Sequence, residues 1–402
     1  MKESIAIPYG AYWSSPFVRW QGSLSHLHSL SFAAHVAGPA LRRRGIAPEV
    51  IDFAVLGTTV PQKSAFYGVP WLMGQLGAPQ VGGPTIAQAC ATSARMLHTA
   101  ASEVLTGGAQ VVLALAADRT SNGPHLYYPA PHGPGGTGEH ENWILDNFQC
   151  DPWAKVAMVQ TAENVAKKHG ISMQEQHEVT LQRYAQYAQA LADDSAFLRR
   201  FMDLPFEVPD AGFRKTVATL AGDEGIHATD AQALARLKPV IAGGTVTYGS
   251  QTHPADGHAA LVLTTPARAR ELSRDAAIEI RVCGFGQSRV DMAHMPEAPV
   301  PAAHAALARA NLKPADLAVI KTHNPFAVND ILLARDLGIA TERINNYGCS
   351  LVWGHPQGPT GLRAIIELIE ELVIRGGGHG LFTGCAAGDT AMAVVIEVGA
   401  RR

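Results

Sequence analysis

Four residues are of types, and stand at places, that suit nucleophilic and proton-transfer chemistry: Cys90, His323, His355 and Cys385. Cys90, in QACATSARML, sits where an apolar helix rich in small residues begins. A helix start offers unpaired backbone N–H groups and a partial positive charge, which favour a thiolate over a thiol and could hold an oxyanion. A buried thiol packed between helices is the other reading of the same segment. His323 directly follows the strand-like run LAVIKT, His355 lies in GHPQGPTG just before a long helical stretch, and Cys385 closes LFTGC. Such ends are where polar side chains converge on a site. Gly354, Gly358 and Gly361 around His355 let the backbone bend and approach a ligand. Most of the 17 histidines are expected to be surface or satisfied structural residues; these two stand out because they occupy matching ends of a duplicated unit.

The duplication is readable from spacing. Ala40, Leu41, Arg43, Ile46 and Pro48 are echoed by Ala306, Leu307, Arg309, Leu312 and Pro314, and each set leads through an aspartate (Asp52, Asp316) into a short apolar run, FAVLGTT or LAVIKTH. Such runs suit strands buried on both faces. Further on, an apolar helical stretch from Ala94 to Leu105 ends at Gly107–Gly108 before VVLALAA, and another from Leu362 to Ile374 ends at Gly376–Gly378 before LFTGC. Two copies of strand, loop, helix and strand predict a duplicated α/β protein with parallel sheets in each half. Between them, residues 120–236 read as an insertion, with a loop at PHGPGGTGEHEN and helix over Met158–Ala192. An insertion of that length is expected to cover a site. The expected division is 1–119 and 237–265 for the first half, 120–236 for the covering region, and 266–402 for the second half.

Composition excludes several classes. A net charge of −3 with no Lys/Arg run leaves no electrostatic footprint for nucleic acid or an anionic membrane. The N-terminus lacks the apolar core of a signal peptide and no stretch reaches the roughly 18 apolar residues of a membrane span, so a cytoplasmic location is expected. Five scattered cysteines without a CxxC pair predict free thiols and no zinc site; no GxGxxG or Walker loop is present.

QACATSARM followed by GGAQVVLALAADRTSNGP, MVQTAENVAKKHGIS, GTVTYGSQTHPADGHAALVL, GHPQGPTG and CAAGDTAMAVVIE together resemble, in family order and over almost the whole chain, the thiolase superfamily. The resemblance implies two duplicated α/β halves with mixed five-stranded sheets in an α-β-α-β-α layered arrangement, plus an inserted loop domain. It implies an acyl-CoA C-acyltransferase: Cys90, activated by His355, carries an acyl group, and Cys385 removes the α-proton of acetyl-CoA. His355 and His323 would stabilise the enolate oxygen, and the backbone N–H groups of Cys90 and Ala387 would form a second oxyanion hole. Met158, Thr252, Met295 and Phe326 are expected to contact CoA or the acyl group. CoA thioesters would be substrates with no further cofactor and no metal; a homodimer or homotetramer, with a possible small accessory subunit, is the implied assembly.

Several positions depart from the commonest thiolase pattern. His323-Asn324-Pro325-Phe326 carries a histidine where an asparagine heads the usual motif, which resembles the sterol-carrier-protein-type subset, and Asn324 replaces an acidic residue. Cys385-Ala386-Ala387 replaces Cys-x-Gly, keeping the backbone donor but adding a methyl group. Two alternatives follow: a ketoacyl-synthase or hydroxymethylglutaryl-CoA-synthase-like condensing enzyme, against which Cys385 speaks, and a non-catalytic acyl-CoA-binding subunit, against which retention of both cysteines and both histidines speaks.

Overall fold

The computed structural model describes residues 5–400. Each half repeats one arrangement. In the first, Phe53–Gly57 runs parallel to Val111–Arg119 and to Thr85–Ile86, and Ala255–Thr264 returns antiparallel beside Val111–Arg119. In the second, Leu317–His323 runs parallel to Gly378–Ala386, and Thr390–Ala400 returns antiparallel beside it, followed by Ile278–Arg289. The short strand Ile5–Ala6 pairs with both Ala255–Thr264 and Ile278–Arg289, so the two halves' strands form one continuous ladder. The echoed turns fold alike: Gly45 and Asn311, six positions into each repeat, both take left-handed backbone (φ 67° and 57°) and end the preceding helices, as glycine and asparagine do at helix C-termini.

Five layers result. Ser29–Arg43 and Gly68–Gln75 cover the outer face of the first half, and Pro299–Ala310 with Ala327–Leu337 cover that of the second. Thr92–Leu105 and Gly358–Ile374 pack on each other in the middle, touching strands of both halves. Gly358–Ile374 is buried on every side as far as Leu372, so its charged residues must find partners inside. Arg363 lies over the rings of both Phe17 and Trp353 and grips Asp223 with two nitrogens; Glu367 receives Lys321 and Arg363. Asp223 belongs to the inserted segment, so this cluster clamps the insertion to the central helix.

The insertion folds as two hairpins, His125–Tyr128 with Glu139–Asn142 and Phe206–Pro209 with Thr216–Leu220, around two long helices and several helical segments of four or five residues. The helical stretch expected over Met158–Ala192 is broken in two, Met158–His169 and Met173–Ala190. Gly170 turns left-handed (φ 62°) to end the first, and the Ser172 hydroxyl accepts the Glu175 N–H to start the second.

Candidate active site

Cys90 precedes the helix Thr92–Leu105 by two residues, on a turn forced by positive φ at Ala89 (43°). The Thr92 hydroxyl accepts the Gln88 N–H at 2.8 Å and donates to the Ala89 carbonyl at 2.7 Å, which locks that turn. One residue on, the Ser93 hydroxyl donates to the Gly358 carbonyl and accepts the Leu362 N–H. The start of the Cys90 helix is therefore bolted to the start of the equivalent helix in the other half, Gly358, which His355 precedes by three residues.

His355 is held from several directions. Its N–H donates to the His253 carbonyl (2.8 Å), its Nδ1 meets the Thr360 hydroxyl (2.6 Å), and its Nε2 lies 3.1 Å from Cys90 Sγ. With the Nδ1 proton given to Thr360, Nε2 is left bare to accept the thiol proton. The loop itself hangs on Asp118, at the end of the first half's central strand, whose carboxylate accepts N–H groups from Thr59, Val60 and Gly358 and hydroxyls from Thr58 and Thr59.

His323 ends its strand fully buried, with Nδ1 2.9 Å from Ser350 Oγ and its ring stacked on His355, centroids 4.0 Å apart. Its Nε2 has no hydrogen-bond partner among the described residues. An orphaned buried polar atom costs about 1–3 kcal/mol, and such an atom beside a cysteine–histidine pair is where a polar ligand atom is expected. Asn324, where the family places an acid, bonds Asp330 (2.7 Å), which also receives Arg183, Thr322 and Asn345, so this position anchors the strand end rather than facing the cavity. Cys385 is also fully buried, and its sulfur accepts a hydrogen bond from Asn329 Nδ2 at 3.4 Å.

A cavity of about 660 Å³ opens on this cluster. Cys90, His355 and Ala387 border it, as do Met158, Thr252, Met295 and Phe326, so all four positions expected to meet CoA or the acyl group reach it. His323 and Cys385 do not border it; His323 is stacked on His355, and Cys385 is fully buried two residues before Ala387. Among the bordering groups that the sequence did not mark are Gln357, inside a motif already singled out, and Trp143, Leu145 and Phe148 from the insertion, which carried no signal beyond their apolar type.

Electrostatics corrects one expectation. Burial pushes the Cys90 thiol up to about 12, outweighing the Ala387 and Cys90 backbone N–H groups that pull it down. Burial, then the neighbouring His323 and His253, holds His355 well below the usual imidazole value, and burial brings His323 to about 3. The resting pair is a thiol facing a neutral imidazole, not the thiolate that a helix start alone predicts. Burial, and then Cys90, raises Cys385 well above an ordinary thiol.

The Cys90 sulfur and the two imidazoles offer ligand atoms within 4.8 Å of one another. Each imidazole's lone pair lies in its ring plane, however, and rings stacked at 27° present theirs side by side rather than converging as a tetrahedral ion requires. The cluster fits a reacting carbonyl better than a metal.

Two family sequence models cover nearly the whole chain: thiolase, N-terminal domain, over residues 12–267, and thiolase, C-terminal domain, over 277–398. The chain belongs to the thiolase family. An acetyl-CoA acetyltransferase of Allochromatium vinosum is 28% identical over 384 residues, 94% of this chain and 95% of the relative, and a beta-ketothiolase of Cupriavidus necator matches to the same extent. Among solved structures, human mitochondrial 3-ketoacyl-CoA thiolase is 26% identical with a TM-score of 0.89 over 98% of this chain and 99% of that one. The Bacillus anthracis acetyl-CoA acetyltransferase is 26% identical with a TM-score of 0.90 over 99% of both. The thiolase fold expected from the motifs, with its duplicated halves, is the fold found; the parallel sheets expected from spacing alone are corrected to mixed ones, because each half closes on an antiparallel return strand.

Proposed function

We propose that this thiolase is an acyl-CoA C-acyltransferase that forms or cleaves the carbon–carbon bond of a 3-ketoacyl-CoA through an acyl group on Cys90. The observation that carries the reading is the 3.1 Å contact between Cys90 Sγ and His355 Nε2 at the border of a mostly apolar cavity, with the Ala387 N–H at the same sulfur. As the sulfur attacks a thioester carbonyl, its proton passes to His355 and then to the departing CoA sulfur, leaving acyl-Cys90 and CoA. The N–H groups of Cys90 and Ala387 meet the carbonyl oxygen as it gains charge.

In the second half-reaction the Cys385 thiol passes its proton to the neutral His355 and, as thiolate, takes an α-proton from acetyl-CoA, and the enolate carbon attacks the acyl-Cys90 carbonyl. Collapse releases the Cys90 sulfur, which takes the proton held by His355, so both cysteines end as thiols and His355 as neutral imidazole. The orphaned His323 Nε2 and the stacked His355 suit the enolate oxygen. CoA thioesters are substrates and products, held by Met158, Thr252, Met295 and Phe326; the mechanism uses no resident cofactor.

A homo-oligomer in a reducing cytoplasm completes the proposal. Phe66 and Tyr67 stand 95% and 68% exposed beside the edge strand Thr85–Ile86, an apolar face that suits a second copy of the chain, and all five cysteines are unpaired. A hydroxymethylglutaryl-CoA-synthase or ketoacyl-synthase reading leaves Cys385 without a role and is not favoured by the family match.

The test is a panel of 3-ketoacyl-CoA substrates in thiolytic cleavage, with Cys385→Ala beside the unaltered chain. Cleavage of at least one substrate, acyl transfer to Cys90 seen by peptide mass, and loss of α-proton exchange with acetyl-CoA in Cys385→Ala are expected. Exchange that survives the substitution would remove Cys385 from the mechanism.

A further inference from the structure

The geometry points to Asn329 as the positioning residue that sets the basicity of Cys385, an inference that rests on the reading of Cys385 as the proton-abstracting base. Asn329 is in the first turn of the helix Ala327–Leu337 and is 2% exposed. Its amide has two ends, and the structure decides which faces the sulfur. Oδ1 accepts the Phe326 N–H at 3.3 Å, closing the start of the helix, and a donor there can be met only by the oxygen. The NH₂ end is thereby turned to Cys385 Sγ, 3.4 Å away.

Among the described residues no other side chain donates to that sulfur. Cys385 is sealed from water, is bordered by a second thiol at Cys90, and lies near the Asp330 carboxylate, each of which opposes a negative charge. A buried thiolate in such surroundings needs hydrogen-bond donors, and Asn329 with the Cys385 backbone N–H supplies them. The same side chain joins the base to the cavity: Phe326, whose N–H orients the amide, borders the space where CoA is proposed to lie. Asn329 therefore touches no reacting atom itself; it fixes the charge and position of the sulfur that does.

The experiment compares Asn329→Asp and Asn329→Ala with the unaltered chain. Aspartate keeps the acceptor for the Phe326 N–H, and so the helix start, while removing the donor; alanine removes both and adds no charge. Deuterium incorporation into acetyl-CoA in D₂O is followed by NMR across pH, and acyl transfer to Cys90 by peptide mass in parallel. A hydrogen bond to a charged group is worth about 1.5–3 kcal/mol, so its loss should move the exchange profile about one to two pH units upward and slow exchange at neutral pH roughly 10- to 100-fold. Acylation of Cys90 should persist in both variants. Parallel loss of both reactions with an unmoved profile would mean a merely structural residue and overturn the proposal, as would exchange unaltered in both variants. Cys385→Ala in the same assay separates the two ideas: exchange retained there refutes the underlying reading of Cys385, whereas exchange lost there with Asn329 variants unchanged refutes only the role of Asn329.

Discussion

The neutral Cys90–His355 pair makes a quantitative prediction about alkylation. With the thiol pushed up to about 12, the thiolate fraction at pH 8 is about one in 10⁴, whereas an ordinary thiol of pKa near 8.5 is roughly a quarter ionised. Iodoacetamide, which brings no base of its own and consumes thiolate, should therefore label Cys90 roughly a thousandfold more slowly than a model thiol at that pH. The rate should climb tenfold per pH unit from 7 to 10 without a plateau. Labelling must be read by peptide mapping, because Cys150 is exposed and open to the reagent. Acyl transfer from a thioester should behave differently, since there the thiol proton can pass to His355 during attack. His355→Ala should leave the slope of the alkylation profile in place while slowing acylation roughly 10²- to 10⁴-fold, the usual contribution of a positioned base. A plateau reached between pH 6 and 8, with a lower limb that disappears in His355→Ala, would show a preformed thiolate–imidazolium pair and refute the reasoning from burial.

Two further outcomes test the supporting structure. Asp223→Ala leaves the fully buried Arg363 guanidinium short of a partner, and orphans the Phe17 N–H and Tyr187 hydroxyl that Asp223 accepts; denaturant unfolding should show a loss of about 3–5 kcal/mol, and a loss under 1 kcal/mol would refute the clamp. Burial raises Asp118 from 3.8 to about 6, so its contribution to stability is present in full below about pH 4 and declines as pH rises through 6; Asp118→Asn should flatten that part of the stability–pH curve by about 3 kcal/mol, and an unchanged curve would refute the raised value.

Much of the architecture was legible because its signals are local. The echo of Ala40–Pro48 in Ala306–Pro314, the apolar runs at 53–57 and 317–323, and the glycines after each central helix are all read within short windows, and the structure places each in the expected element. The motif residues were equally legible: Cys90, His355, Ala387, Met158, Thr252, Met295 and Phe326 border one cavity because the duplication brings matching strand and helix ends to one side. The supporting groups were not. Ser93 meets Leu362, Asp118 meets Gly358, and Arg363 meets Asp223 across well over a hundred residues of chain, and neither residue type nor spacing marks any of these pairs. Asn329 is similar, since its spacing from Phe326 reads as an ordinary helix start and says nothing of the sulfur from another strand.

The state of Cys90 shows why chemistry was less legible than placement. Two opposing effects act on that sulfur, and only one is visible in a sequence. A helix start is worth about 0.3–1 kcal/mol to an anion and at most about 2, or little more than one pH unit of stabilisation. Burial moves the thiol from 9.0 to about 12, a shift of about three units and so about 4 kcal/mol, even with two backbone N–H groups pulling the other way. Desolvation wins by a factor of two or more, and its size depends on His355, Gln357 and Ala387 closing around the sulfur from the far half of the chain. The same burial holds His355 neutral, so the group best able to take the proton is available as a base only because it, too, is denied water. A site that keeps both partners uncharged at rest delays charge separation until a thioester is present to receive the sulfur, which places the stabilising work on the donors that meet the developing oxyanion rather than on a standing ion pair.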